Sequence, residues 1–210
     1  MFSAIERVVN AAPVVPVMVI EKIEHAVPLA RALVAGGLPV LEITLRTDCA
    51  LEAIKQIKAE VEGAIVGAGT VNTPADVERA VAAGSEFLVS PGSTPALIDA
   101  AIASGVPLLP GVNSPSEVMA LMERGLRYLK FFPAEAAGGV PMLKSISGPL
   151  PQVKFCPTGG VSLINLNDYL GLPNVVCVGG SWMAPVELMR AGDWAGIEKL
   201  AREARAAAGK

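Results

Sequence analysis

Residues 64–110 decide the fold and read AIVGAGTVNTPADVERAVAAGSEFLVSPGSTPALIDAAIASGVPLLP. A short apolar run is followed by Thr-Pro, a helix-compatible segment, a glycine and the next apolar run, and this order then repeats. Thr73-Pro74 and Thr94-Pro95 each place a capping hydroxyl before a proline, which is typical of the start of a helix. Gly84 and Gly105 follow the helical segments, where a left-handed residue commonly ends a helix. The stretch predicts buried strands that alternate with helices.

Similar units cover the whole chain. Apolar runs suited to buried parallel strands begin near Val14, Pro39, Ala64, Glu86, Val106, Arg127, Val153 and Val175. Their spacing of about 20 to 26 residues holds one strand, one helix and two loops. Eight such units predict an α/β fold, a (β/α)8 TIM barrel of eight parallel strands, as a single domain over residues 1–210. An extra helix is predicted at 2–10 and another at 193–208. The alternative is an open doubly wound sheet, which shares the alternation.

The limits of other helices follow the same rules. Ser114-Pro115 marks a further helix start, and Glu117 completes a capping box with Ser114. Gly36 and Gly125 follow helical segments and precede the next strand, so both are predicted to adopt the left-handed conformation that ends a helix.

The composition favours a packed globular protein, with 52% hydrophobic and 18% charged residues. The net charge of -3 arises from 17 basic and 20 acidic residues that form no blocks, so neither a nucleic acid nor an anionic membrane is an expected partner. No apolar run approaches the length of a membrane span, and the start of the chain lacks the pattern of a secretory signal. We therefore expect a cytoplasmic protein.

The cysteine and histidine content argues against a metal site. Cys49, Cys156 and Cys177 are odd in number and widely spaced, which predicts reduced thiols. His25 is the only histidine and is predicted to lie on the surface, so a histidine-based triad or a multi-histidine metal site is excluded. Neither a complete dinucleotide fingerprint nor a P-loop is present. No metal and no cofactor are expected.

Two charged residues interrupt apolar strands near the strand ends, where barrels place reactive groups. Lys130 lies among aromatic and aliphatic residues and either extends outward to solvent or points into the barrel, where a desolvated amine can attack a carbonyl. Glu42 lies in a core strand, and a buried carboxylate needs a partner or a function. Strand alternation places Glu42 and Thr44 on one face, and Arg46 shares their parity. A structural ion pair with Arg46 and a catalytic carboxylate both fit.

Glycine pairs follow the seventh and eighth predicted strands, at Gly159-Gly160 and Gly179-Gly180. Barrels commonly bind phosphate at these two positions through exposed backbone amides, and Ser181 adds a hydroxyl donor. The pairs therefore form either a phosphate site or merely tight turns.

Several motifs, in this order, resemble those of one family. They are Pro13-Val14-Val15-Pro16-Val17, Leu41-Glu42-Ile43-Thr44-Leu45-Arg46-Thr47, Gly67-Ala68-Gly69-Thr70-Val71, Lys130-Phe131-Phe132-Pro133-Ala134-Glu135 and Cys156-Pro157-Thr158-Gly159-Gly160. The chain resembles, over nearly its whole length, the 2-keto-3-deoxy-6-phosphogluconate (KDPG) aldolases, also called 4-hydroxy-2-oxoglutarate (KHG) aldolases, of the Entner–Doudoroff pathway.

The resemblance implies a role for each matching residue. Lys130 is the Schiff-base lysine, and Glu42 is the general acid/base. Arg46 and Thr70 hold the carboxylate of the keto acid. The residues that line the same pocket are Pro91, Phe132 and Thr158, and those at the phosphate end are Gly159, Gly160, Gly180 and Ser181. The resemblance also implies a homotrimer whose small-molecule substrate is a phosphorylated 2-keto sugar acid.

The implied reaction is the class I cleavage of KDPG into pyruvate and glyceraldehyde 3-phosphate, and of KHG into pyruvate and glyoxylate. Lys130 forms the iminium with the keto acid, and Glu42 moves the protons. The alternatives are a related 2-keto acid aldolase with another preferred substrate, a metal-dependent aldolase or isomerase, and a non-catalytic barrel that binds a small molecule. The lone histidine weakens the metal-dependent alternative.

Overall fold

The computed structural model describes residues 4–209. Within this range the apolar runs form strands and the segments between them form helices. The strands are β1 (Val14–Met18), β2 (Val40–Thr44), β3 (Ile65–Gly69), β4 (Leu88–Val89), β5 (Leu108–Leu109), β6 (Gly111–Val112), β7 (Tyr128–Phe131), β8 (Lys154–Pro157) and β9 (Val178–Gly180). The helices are α1 (Ala4–Asn10), α2 (Ala26–Ala35), α3 (Ala50–Glu60), α4 (Pro74–Ala82), α5 (Pro95–Ser104), α6 (Pro115–Glu123), α7 (Gly139–Ser147), α8 (Leu166–Leu170), α9 (Val186–Ala191) and α10 (Trp194–Ala207), with a 3-10 turn at Ile23–His25.

The strands pair in parallel and form two sheets. The larger sheet has six strands in the order β5-β4-β3-β2-β1-β9 and curls into half a barrel, and the smaller has the order β6-β7-β8. Isolated parallel bridges join Phe155 to Val175 and Thr158 to Gly179, so that β8 lies beside β9. The predicted α/β class with parallel strands is confirmed.

Each predicted strand start lies within three residues of an observed strand. The run that begins near Val106 differs from the prediction because it forms two short segments, β5 and β6, separated by Pro110. Proline has no N–H to donate to a neighbouring strand, so it interrupts the ladder. The carbonyl of Pro110 still accepts a hydrogen bond of 2.9 Å from the N–H of Lys130.

The predicted helix starts are confirmed. The side chains of Thr73, Thr94 and Ser114 accept hydrogen bonds from the third residue of α4, α5 and α6, and Ser114 and Glu117 form the capping box. A second capping box joins Thr73 to Asp76. Because each box pairs two backbone N–H groups that a helix start leaves without partners, it fixes where the loop after a strand turns into a helix.

The left-handed helix ends are confirmed at Gly84, Gly105 and Gly125, but the prediction for Gly36 is wrong. Gly36 has a φ of -76°, and its neighbour Gly37 takes the left-handed conformation at +86°. A Cβ at position 36 would overlap Ala201 of α10 and lie 2.9 Å from the Glu198 carbonyl oxygen. Gly36 is therefore a glycine because helices α2 and α10 pack closely at this point.

The two flanking helices are present as α1 and α10. The prediction of 2–10 agrees with Ala4–Asn10, while residues 2 and 3 lie outside the described residues, and the prediction of 193–208 agrees with Trp194–Ala207. His25 differs from its prediction as a surface residue because it is partly buried, with the centres of the His25 and Trp194 rings 5.5 Å apart in an edge-to-face arrangement. No helix in residues 4–209 is long and apolar enough to cross a membrane.

Candidate active site

Lys130 lies on β7 and points into the interior. Its backbone pairs in register with Gly111 on β6 and Cys156 on β8, and its side chain is only 7% exposed. The ammonium nitrogen lies 5.3 Å from the centre of the Phe132 ring. An outward, solvent-seeking conformation is excluded, and the amine is held against an aromatic face in a desolvated setting.

Glu42 meets Lys130 across the interior. The distance from Lys130 Nζ to Glu42 Oε1 is 3.1 Å, and the side chain of Glu42 is 4% exposed. The two residues are on β2 and β7, which belong to different sheets and are not neighbours. The hypothesis of an ion pair between Glu42 and Arg46 is wrong, because the partner of Glu42 is Lys130 and no ion pair among the described residues includes Arg46.

Gly69 explains why the Glu42 carboxylate fits. A Cβ at this position would lie 2.6 Å from Glu42 Cγ and 2.8 Å from Glu42 Cδ. Both distances are shorter than an ordinary contact, so a side chain at position 69 would displace the carboxylate. The end of β3 therefore has to be a glycine for Glu42 to reach Lys130.

Arg46 lies in the turn after β2, since the strand ends at Thr44. The alternation of side chains between the two faces of the strand therefore does not extend to Arg46. The turn is fixed by two hydrogen bonds, from Arg46 N to the Thr44 carbonyl (2.8 Å) and from Thr47 Oγ1 to the Ile20 carbonyl (2.7 Å). The guanidinium is exposed and lines a cavity of about 300 Å³ together with Arg79. Because no ion pair among the described residues includes Arg46, its guanidinium is available to an anion at the end of β2.

Thr70 follows β3 directly and has a φ of +57°. Among residues 4–209 it is the one non-glycine residue with a positive φ. The left-handed conformation is uncommon for a β-branched residue and costs about 1–3 kcal/mol. Such a strained conformation persists only where the surrounding structure holds the backbone, here at the strand end beside Gly69.

The three residues predicted to line the pocket differ in exposure. Thr158 is buried at the end of β8, Phe132 is partly buried, and Pro91 is exposed. A Cβ at Gly111 would overlap the Pro91 carbonyl and lie 2.7 Å from Gly92 N, so Pro91 packs directly on the strand that pairs with Lys130.

The predicted phosphate residues gather where β8 and β9 end. Gly159 and Gly160 have φ values of 101° and 80°, so they form a left-handed turn that only glycine adopts readily. Gly180 is buried at the end of β9, whereas Ser181 is exposed immediately after it. The bridge between Thr158 and Gly179 places the two glycine pairs side by side.

Comparison with known proteins identifies the family. The model of the KDPG and KHG aldolase family matches residues 5–200. The chain belongs to this family. It is 55% identical over 206 residues to the 2-dehydro-3-deoxy-phosphogluconate aldolase of Dickeya dadantii, covering 98% of this chain and 97% of the relative.

Two solved structures of KDPG aldolases are similar throughout. The enzyme from Legionella pneumophila, in which pyruvate was captured as a covalent carbinolamine, has a TM-score of 0.92 at 50% identity and covers 94% of this chain and 96% of its own. The enzyme from Zymomonas mobilis with 3-phosphoglycerate has a TM-score of 0.91 at 52% identity and covers 96% and 95%.

The structure of this KDPG and KHG aldolase family member draws attention to two further residues, to which the sequence analysis assigned no role. Glu135 belongs to a quoted motif, yet its contact with Tyr169 of α8 joins residues 34 positions apart and has no local signal. The sequence does contain a weak signal for Gly69. Gly67 and Gly69 are two residues apart near a strand end, so both lie on the same face of the strand and leave space there for another side chain.

Proposed function

We propose that this chain is a class I aldolase, an aldehyde-lyase, that cleaves KDPG into pyruvate and glyceraldehyde 3-phosphate. The observation that carries the proposal is the buried amine of Lys130 placed 3.1 Å from the carboxylate of Glu42. An amine nucleophile with a proton-transfer group beside it is what iminium chemistry requires. The chain also cleaves KHG into pyruvate and glyoxylate, since both substrates share the 2-keto acid end.

Lys130 gives a proton to Glu42 and, as the neutral amine, attacks the C2 ketone to form a carbinolamine. Return of that proton to the C2 oxygen and loss of water convert the carbinolamine into an iminium. Glu42 takes the proton of the C4 hydroxyl while the electrons of the C3–C4 bond move to the iminium nitrogen. The aldehyde leaves, and Glu42 returns the proton to C3 of the enamine. Water then releases pyruvate and regenerates Lys130. The carbinolamine of the Legionella pneumophila relative supports the first of these steps.

The other site residues bind the two ends of the substrate. Arg46 and Thr70 hold the carboxylate of the keto acid, and the walls of the pocket are Pro91, Phe132 and Thr158. The phosphate lies against Gly159, Gly160, Gly180 and Ser181. Backbone amides and one hydroxyl suit a phosphate because they direct several N–H groups at one anion. The 3-phosphoglycerate bound by the Zymomonas mobilis relative is a phosphorylated three-carbon acid and supports such a site.

The chain further folds as one domain over residues 1–210, in which both sheets close into a (β/α)8 barrel. A single residue, Pro110, separates β5 from β6, so these segments count as one interrupted strand. The bridge from Thr158 to Gly179 supports closure on the other side. Contact between Lys130 and Glu42, on strands that are not neighbours, fits side chains that converge inside a barrel.

The oligomer is a homotrimer in the cytoplasm. Leu163 and Ile164 support association, because Ile164 is 96% exposed in the loop after the Gly159–Gly160 turn. Adjoining exposed apolar side chains that form a contiguous patch often mark contacts with other chains. Light scattering of the purified protein tests the trimer, and a monomer at assay concentrations would contradict it.

Trapping with borohydride tests the function. Pyruvate plus borohydride should inactivate the enzyme irreversibly, because reduction turns the iminium into a stable amine on Lys130. Peptide mass mapping locates the adduct. Lys130→Ala should abolish trapping, whereas Lys154→Ala, a matched variant on β8 whose ammonium donates to the Pro173 carbonyl (2.7 Å), should retain it.

Kinetics separate the proposed activity from its alternatives. We expect KDPG and KHG to be cleaved, and comparison with the galactonate epimer of KDPG gives the substrate preference. Trapping on Lys130 without cleavage of KDPG would favour another 2-keto acid substrate. Failure of pyruvate to react at all would favour a non-catalytic binding protein, and loss of activity with a chelator would favour metal-dependent chemistry.

A further inference from the structure

Tyr169 and Glu135 form a hydrogen-bonded pair beside the proposed phosphate site. Tyr169 is fully buried on α8, and its hydroxyl donates to Oε1 of Glu135. Glu135 is exposed and follows β7 at the end of the motif that begins with Lys130. The pair thus links a buried helix to the segment that connects the lysine to the phosphate end.

Glu135 lies directly against the Gly159–Gly160 turn. Its backbone N–H donates to the Gly159 carbonyl at 3.1 Å. A Cβ at Gly160 would overlap Glu135 Cγ and lie 2.7 Å from Glu135 Cβ, so the aliphatic part of Glu135 covers that glycine. From the other side, Asn165 Nδ2 donates to the Gly160 carbonyl at 3.1 Å. The turn is therefore held between Glu135 and Asn165.

The carboxylate of Glu135 points away from the turn. A Cβ at Gly139 would lie 3.1 Å from the Tyr169 hydroxyl and 3.2 Å from Glu135 Oε1, which places this oxygen at the start of α7. Burial, and then the hydrogen bond and charge of Glu135, raise the pKa of Tyr169 far above its ordinary value of 10.0. The hydroxyl therefore keeps its proton and remains a donor to Glu135 at neutral pH.

An acidic side chain is an unexpected neighbour for a phosphate, because like charges at short range repel. A free Glu135 side chain could rotate about its own torsions from the Tyr169 side to the Gly160 side. The bond to Tyr169 prevents this rotation while leaving the aliphatic stem packed on Gly160.

We propose that Tyr169 is a positioning residue that holds the carboxylate of Glu135 away from the phosphate of the substrate and keeps the Gly159–Gly160 turn in its binding conformation. The proposal rests on the phosphate site assigned under the proposed function. It makes the contact between Tyr169 and Glu135 a determinant of specificity for phosphorylated substrates.

The test is Tyr169→Phe, which keeps the buried ring and removes only the hydroxyl. We expect kcat/KM for KDPG to fall about 10- to 100-fold, mainly through KM, because a charge-assisted hydrogen bond is lost and a negative charge is freed. Competitive inhibition by inorganic phosphate should weaken in parallel. Cleavage of KHG and borohydride trapping of pyruvate on Lys130 should change less than about threefold.

Tyr128→Phe is the matched control. The hydroxyl of Tyr128 also forms a hydrogen bond with a glutamate, Glu6. This contact lies at the amino-terminal end of β7, away from the glycine turn. Its loss should leave the ratio of KDPG to KHG cleavage unchanged. Melting temperatures of both variants should be measured to check that they are folded.

The double variant Tyr169→Phe/Glu135→Gln separates positioning from simple stabilisation. Removing the negative charge should restore part of the kcat/KM for KDPG that Tyr169→Phe loses. Equal losses for KDPG, KHG and pyruvate trapping, or the absence of any recovery in the double variant, would overturn the proposal. Wild-type protein that neither traps pyruvate nor cleaves KDPG would instead refute the proposed function itself.

Discussion

A single methyl group at Gly69 should disable the site although Lys130 and Glu42 themselves are not substituted. In Gly69→Ala the new Cβ would lie 2.6 Å from Glu42 Cγ, whereas ordinary contacts begin at 3.4 Å. The carboxylate must therefore move by about 1 Å, and the distance of 3.1 Å between Glu42 and Lys130 cannot be kept. A displacement of about 1 Å in a catalytic group costs on the order of 100-fold in rate. The φ of Gly69 is not left-handed, so the backbone itself accepts alanine.

Steady-state cleavage of KDPG measures this effect. We expect kcat to fall by about 100-fold. Overpacking should lower the free energy of unfolding by about 1–3 kcal/mol, and the melting temperature should fall accordingly. Borohydride trapping should slow less than turnover, because in the proposed mechanism iminium formation depends on Lys130 and the proton transfers depend on the displaced Glu42. The two assays together distinguish a misplaced carboxylate from a damaged nucleophile.

Two further variants check the reasoning. Gly92→Ala is the matched control, because a Cβ at Gly92, in the loop after β4, would meet nothing within 4 Å, and it should leave kcat unchanged. Glu42→Asp shortens the side chain and makes room for the methyl group. The losses of Gly69→Ala and Glu42→Asp should therefore combine to less than their product. A folded Gly69→Ala enzyme with wild-type kcat, or fully multiplicative losses, would refute the reasoning.

Three other expectations follow from the same geometry. Glu42→Gln should lower kcat for KDPG by about 10²- to 10⁴-fold with little change in melting temperature, and equal losses of activity and stability would favour a structural role. Ser181→Ala should lower kcat/KM by about 10- to 150-fold for KDPG and less for KHG, and a uniform loss would exclude Ser181 from the phosphate site. Burial and the bond to Glu6 raise the pKa of Tyr128 from 10.0 to about 12. The folded state holds this proton more tightly than the unfolded state, so its stabilisation is complete below pH 10 and is lost towards pH 12. Urea unfolding across this range should show a smaller decline for Tyr128→Phe, and an identical decline would contradict the assignment.

The fold was predictable where the signal is local. Hydrophobic runs, Thr-Pro and Ser-Pro caps and single glycines act within a few residues, and they located the strands and several helix limits. Gly36 shows where local rules end. Two adjacent glycines offer the same left-handed end, and Gly37 takes it, whereas Gly36 is needed for the close contact of α2 with Ala201 on α10, which lies far along the chain.

The sequence reveals the two unusual charged residues of the candidate site, but not the contact between them. Lys130 and Glu42 are charged residues inside apolar strands, which the sequence reveals. Their contact joins residues 88 positions apart on strands that are not neighbours, and no local periodicity encodes it. Parity pointed to Arg46 as the partner of Glu42, and this failed because β2 ends at Thr44 and the chain turns.

The energetic costs in the structure locate the site independently of any relative. A buried ion pair such as that of Lys130 and Glu42 is often no more stabilising than well-packed apolar residues. Thr70 holds a left-handed conformation at a cost of about 1–3 kcal/mol. Gly69 has no side chain to pack inside its strand, and this absence leaves room for the Glu42 carboxylate. Selection for stability alone would remove all three features. Gly69 and Thr70 lie at the end of β3, and the ion pair lies beside Gly69, so their shared position supports the proposal that these residues serve chemistry rather than folding.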